Sequence, residues 1–147
     1  MSLNTDLYEQ DFFRWTQTTA ALIRAGKWQD VDVDAVAEEL ESLGKRERRE
    51  LGSRLQVLVI HLLKWRFQPS ERSGSWRSTI WGQRTEILAL RDDSPSLRQQ
   101  LPAMLARRYP RARVQAAAET GLPEETLPQA CPWTTQQLVD ADFWPDG

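Results

Sequence analysis

Tyr8, Phe12, Trp15, Thr19 and Leu22 recur at alternating steps of four and three, the spacing that lines side chains along one face of a helix. The pattern predicts a first helix from about Asp6 to Ala25, with Gly26 where a C-terminal cap belongs. Asp32 is a good N-cap for a second helix, whose apolar stripe is Val33, Val36, Ala37, Leu40 and Leu43 and which Gly44 is expected to end or bend. The charged run Lys45-Arg46-Glu47-Arg48-Arg49-Glu50 opens a third helix, stopped after Gln68 by Pro69. Leu51, Leu55, Leu58, Leu62 and Trp65 form its inner face, and Val57, Val59, Ile60 and Leu63 occupy its other sides. A helix apolar nearly all round belongs in the middle of a bundle.

A fourth helix is expected from Ser73 or Ser75 to about Arg91, with an inner stripe of Trp76, Ile80, Gln83, Ile87 and Leu90. Ser94 and Pro95 mark the next start, as cap and first helical residue. That fifth helix runs to about Thr120, with kinks or a break expected at Pro102 and Pro110, and Gly121 and Pro123 end it. The remaining residues read as short turns anchored by Trp133, Leu138, Val139, Phe143 and Trp144. The fold expected is all-α: an irregular bundle of four or five main helices with a docked C-terminal tail, in a single domain covering residues 1–147.

Composition narrows the class without naming a function. The lone cysteine, Cys131, allows no internal disulfide and points to a reducing compartment, so a cytoplasmic location is expected. No signal peptide is expected, because Asp6, Glu9, Asp11 and Arg14 interrupt any early apolar run, and the longest apolar run, Val57 to Leu63, is far too short for a bilayer span. Net charge is only −2 but unevenly spread: residues 1–44 carry 3 basic and 9 acidic side chains, residues 45–84 carry 10 and 3. Two explanations stand side by side. The acidic first part packs beside the basic middle and neutralises it, or the basic middle presents a face to a polyanion.

Several blocks in order carry a family resemblance: Tyr8-Glu9-Gln10-Asp11-Phe12 with Trp15, Glu38-Glu39-Leu40-Glu41-Ser42-Leu43-Gly44 and His61-Leu62-Leu63-Lys64-Trp65. Ser75-Trp76 with Thr79-Ile80 and Gln83-Arg84, then Ser94-Pro95-Ser96-Leu97, Glu119-Thr120-Gly121-Leu122-Pro123 and Cys131-Pro132, complete them. In these the chain resembles the bacterial family catalogued as domain of unknown function twenty-nine. The resemblance implies a compact helical fold and no activity.

Recognisable chemistry is sparse. One histidine and one cysteine make no zinc signature, a carboxylate-bridged di-metal site needs two Glu-x-x-His motifs, and no nucleophile elbow or phosphate loop is present, so neither a metal nor a cofactor is implied. The informative residues are polar ones beside apolar stripes. Arg54 and His61 flank the inner face of the third helix, Gln83 and Arg84 interrupt the fourth, and Glu39 flanks the second. If these helices are neighbours, Glu39, Arg54, His61, Gln83 and Arg84 converge on a polar network, either a device that fixes helix register or a ligand or proton-transfer pocket. His61, in the most apolar stretch, is expected to stay neutral unless Glu39 or Glu50 reaches it.

Three functional readings follow. The first is a non-enzymatic interaction or regulatory module acting through protein contacts, with a protein partner or self-association and no membrane. It should expose an apolar patch rimmed by charge. The second is nucleic-acid binding through residues 45–84, which should gather Lys45, Arg46, Arg48, Arg49 and Arg77 on one face, with Trp81 available for stacking or partner contact. The third is an enzyme using Glu39, His61 and Arg84, which should hold His61 in a concave pocket.

Overall fold

The computed structural model describes residues 3–146, and there is no strand among them. The helices are α1 (Leu3–Gln10), α2 (Phe12–Arg24), α3 (Val33–Phe67), α4 (Gly74–Asp93), α5 (Leu101–Thr120) and α6 (Thr135–Val139), with short 3-10 turns between several of them. The chain divides into two compact units, residues 1–46 and 47–147, and α3 contributes to both.

In the first unit, Asp11 splits the expected first helix in two. Its carboxylate accepts the Arg14 N–H at 3.1 Å and so starts α2 as an N-cap. Gly26, at φ +73°, closes α2: its N–H reaches the Ile23 carbonyl and the Lys27 N–H reaches Leu22, both at 3.0 Å. That pair of bonds satisfies carbonyls a helix end otherwise strands, and only a residue without a Cβ adopts the required backbone cheaply. Tyr8, Phe12 and Trp15 stack together, the Tyr8 and Trp15 rings 4.6 Å apart. Among the described residues of this unit, Trp15, Thr19 and Ala35 are buried.

Asp32 caps α3 as expected, accepting the Ala35 N–H at 3.1 Å, but Gly44 does not end it. Glycine inside a helix costs only about 1 kcal/mol relative to alanine, too little to break one that no proline interrupts before Pro69. The face that α3 turns inward in the first unit also differs from expectation. Ala35 is buried and Val36, Glu39 and Ser42 are half-buried, whereas Val33, Leu40 and Leu43 are 61 %, 64 % and 55 % exposed. The Tyr8 hydroxyl donates to the Glu39 carboxylate, and this bond belongs to the polar side of the helix, leaving the apolar stripe outward.

The second unit is built around the rest of α3. Leu51, Leu55, Leu58, Leu62 and Leu63 are fully buried, joined by Ile80 and Ile87 from α4 and by Leu101, Leu105, Tyr109 and Ala112 from α5. Ser73 caps α4 by accepting the Trp76 N–H at 3.2 Å. The expected fifth helix begins later than its sequence suggests. Pro95–Gln100 is a 3-10 turn, α5 starts at Leu101, and Pro102 falls in its first turn, where a missing N–H is harmless. Ser94 does not cap with its side chain; its hydroxyl donates to Glu47 at 3.0 Å. Pro110 stays within α5, and Gly121, at φ +77°, closes it. In the tail, Leu127 and Leu138 are buried, and Trp133, Val139 and Trp144 pack against the core.

The continuity of α3 is testable. The methyl of Gly44→Ala meets nothing within 4 Å. The substitution should therefore add about 1 kcal/mol of stability, a rise of about 3 °C in the melting temperature followed by circular dichroism. A lower melting temperature would mean that residue 44 needs a non-helical backbone.

Candidate functional site

The described hydrogen bonds do not join the five polar residues singled out by the sequence into one network. Glu39 accepts from Tyr8, whose hydroxyl pKa is pushed up to about 12, first by that hydrogen bond to a carboxylate. Arg54 donates to Glu50 at 3.1 Å and to Gln83 at 3.4 Å, the one described hydrogen bond that joins two of the five. The His61 Nδ1 lies 2.9 Å from the Val57 carbonyl of its own helix. Glu39 and His61 share α3, rather than facing each other from consecutive helices, because Gly44 makes no break.

Arg84 has the most consequential position. It is 3 % exposed, deeper than the half-buried Gln83 beside it. Its Nε donates to the Leu138 carbonyl and its Nη2 to the Phe143 carbonyl, both at 2.7 Å. Its guanidinium lies 5.5 Å from the Trp144 ring, which packs 4.6 Å from Trp65. Burial pulls the guanidinium below its ordinary pKa, and Asp140 opposes this. Two further donors treat the tail similarly: Arg113 bonds the Leu127 and Glu124 carbonyls, and Tyr109 bonds Pro128. Irregular backbone leaves carbonyls without ladder partners, and a guanidinium offers five donors to satisfy them.

A second polar group, not anticipated, centres on Lys64, which is 8 % exposed. Its ammonium lies 2.6 Å from the Glu119 carboxylate and 5.7 Å from the Trp76 ring. The Lys64 hydrogen bond holds the Glu119 carboxyl below its usual range. Burial lowers the His61 pKa, the Val57 carbonyl opposes this, Lys64 lowers it further and Glu119 raises it. The sequence signal was present: a lysine inside a run of buried leucines needs a partner.

The exposed basic residues are not all in one setting. Lys45, Arg46, Arg48 and Arg49 are exposed along α3, whereas Arg77 lies over Trp65 at 5.4 Å and Trp144 at 5.9 Å. Trp81 is largely exposed on α4. Arg108 of α5 instead reaches α3, donating to Gln56 at 3.2 Å and Ser53 at 3.5 Å, directly over Gly52. Cys131 is half-buried and bonds the Trp133 carbonyl at 3.4 Å; burial pushes its thiol pKa up, which disfavours a reactive thiolate.

Two surface depressions of the second unit have volumes of about 470 and 400 Å³. One lies between Arg113 and the 125–129 segment, the other between Arg98, Leu101 and Gln136, and neither includes His61. Among the described residues no group of three or more His, Cys, Asp or Glu side chains is arranged to hold a metal ion. Nor is any described helix long and apolar enough to cross a membrane.

A family model, described as "Domain of unknown function DUF29", matches residues 7–144. No curated protein and no solved structure matches the chain.

The Arg84 clamp and the His61 environment each make a measurable claim. Arg84→Met removes the donors of two tail carbonyls and should cost about 2–6 kcal/mol, at about 1–3 kcal/mol for each group left unsatisfied. Limited proteolysis should then cut first within residues 124–146; unchanged resistance would show that the clamp does not hold the tail. For His61, a folded pKa below 6.5 is expected by NMR. The unfolded chain then binds the extra proton first, so stability should fall as pH drops from about 6.5 toward the folded value. A folded pKa above 6.5 would reverse the sign and the conclusion.

Proposed function

The chain belongs to the DUF29 family, whose description assigns no activity, and from that premise we propose that it is a non-enzymatic helical interaction module acting through protein contacts. One observation carries this reading. Of the large apolar side chains that stand exposed among the described residues, Phe12, Phe13, Trp28, Val33, Leu40 and Leu43 all belong to the first unit; the others are Trp81 and Val114. Concentrated exposed apolar surface is costly in water and marks a place that another surface covers.

The partner proposed is a second copy of the chain. Val33, Leu40 and Leu43 stand exposed with the half-buried Val36 at their edge, at steps of three and four, the pattern of a helix-pairing seam. Charge along the segment is polarised, with Asp30, Asp34, Glu38 and Glu41 toward its start and Lys45 and Arg46 at its end. Two such segments laid antiparallel bring Val33 against Leu43 and Val36 against Leu40. The same arrangement lays the acidic start of α3 in one copy, with Asp34 and Glu38, beside the basic end of the segment, with Lys45 and Arg46, in the other. A surface complementary to itself under a two-fold axis is what an isologous dimer requires.

Sedimentation equilibrium over a range of concentrations tests the reading. The native chain is expected to dimerise reversibly, and Leu40→Glu with Leu43→Glu to remain monomeric with unchanged helix content. Lys45→Glu with Arg46→Glu should weaken the dimer, since acidic ends then lie side by side in both halves. A monomer at all concentrations, or a dimer indifferent to the leucine substitutions, overturns the proposal.

A further inference from the structure

Gly52 is buried in the middle of α3, and the reason is Arg108. A Cβ at position 52 would lie 2.5 Å from the Arg108 Nε and 2.9 Å from its Cζ. The guanidinium therefore rests on bare helix backbone, steered by the neutral oxygens of Ser53 and Gln56. Arg49 stands one turn before Gly52 on the same helix, and Arg107 and Arg111 flank Arg108 on α5. The acids of α3 nearest in sequence are engaged elsewhere: Glu47 accepts from Ser94 and Glu50 from Arg54. Burial first, and then the charges of Arg111, Arg49 and Arg107, push the Arg108 pKa below the ordinary value.

A guanidinium held against neutral partners, with like charges around it, is unfavourable as a purely structural contact. A neutral side chain would bridge Ser53 and Gln56 without the repulsion. The arrangement is relieved by a multiply charged anion, and guanidinium forks match phosphate oxygens in geometry. We propose that Arg49, Arg107, Arg108 and Arg111 form a binding site for a phosphate-bearing anion, with Gly52 as the seat that fixes Arg108. The site lies wholly in the second unit and rests on observations independent of the self-association proposed above.

Calorimetric titration at low ionic strength, with inorganic pyrophosphate in one arm and a single-stranded DNA oligonucleotide in the other, tests it. Binding of pyrophosphate at least as tight as of the oligonucleotide assigns a small phosphate ligand. Tighter oligonucleotide binding that falls steeply with salt assigns a nucleic-acid backbone. Under either assignment, Arg107→Gln with Arg111→Gln should weaken binding by about tenfold or more, as loss of charge-assisted bonds implies. Arg66→Gln, far along α3, should leave it unchanged. Gly52→Ala separates structure from binding. It improves helix propensity and displaces only the end of a flexible side chain, so the variant should unfold no earlier than the native chain yet bind about tenfold more weakly. Absence of binding in both arms, equal weakening by Arg66→Gln, or full affinity in the Gly52→Ala protein would overturn the assignment.

Discussion

The second unit depends on one constraint: the C-terminal half of α3 is apolar on nearly every side and has to be covered on all but one narrow strip. Leu51, Leu55, Leu58, Leu62 and Leu63 are fully buried, together with Val59 and Ile60, so only a narrow strip, with Ser53 exposed and Arg54, Val57 and His61 half-buried, is left to water. Each such side chain contributes about 1.5–3 kcal/mol when removed from solvent. Two helices leave part of such a surface bare. The tail, through Leu127, Leu138 and the packed Trp144, completes the cover that α4 and α5 begin. Cationic and phenolic donors then have to satisfy the carbonyls that this irregular cover brings inside.

Local signals were legible because their physics is local. Gly26 and Gly121 end helices through a backbone geometry that glycine adopts cheaply, Ser73 begins one through its hydroxyl, and Pro69 stops one by lacking an N–H. The all-round apolar pattern of residues 51–65 likewise required burial whatever its neighbours. Gly44 misled because propensity is a small energy that a long helix absorbs. The Val33, Leu40 and Leu43 stripe misled for a different reason. Periodicity identifies a face, but which face turns inward is decided by partners, and Tyr8 engages the Glu39 side.

Polar residues were harder to place. Gln83 and Arg84 are adjacent, and nothing in their spacing says that the arginine goes deeper, since its acceptors are carbonyls more than fifty residues later. Lys64 was conspicuous as a charge in an apolar run, yet its partner Glu119 is separated from it by the whole of α4. Sequence reveals that such a group needs a partner; only the fold says which. The same holds for Arg108, whose significance comes from a glycine on another helix.

The tail is held mainly through its main chain. Arg84, Arg113 and Tyr109 bond carbonyls of Leu138, Phe143, Leu127, Glu124 and Pro128, and every residue type supplies a carbonyl. Much of the information that positions residues 124–143 is therefore stored in the helices they cover. Between its few apolar anchors the tail is free to drift in sequence, while the donors that grip it are not. Mutational tolerance should be distributed unevenly: generous in the segment that looks least regular, and narrow at single positions of α4 and α5.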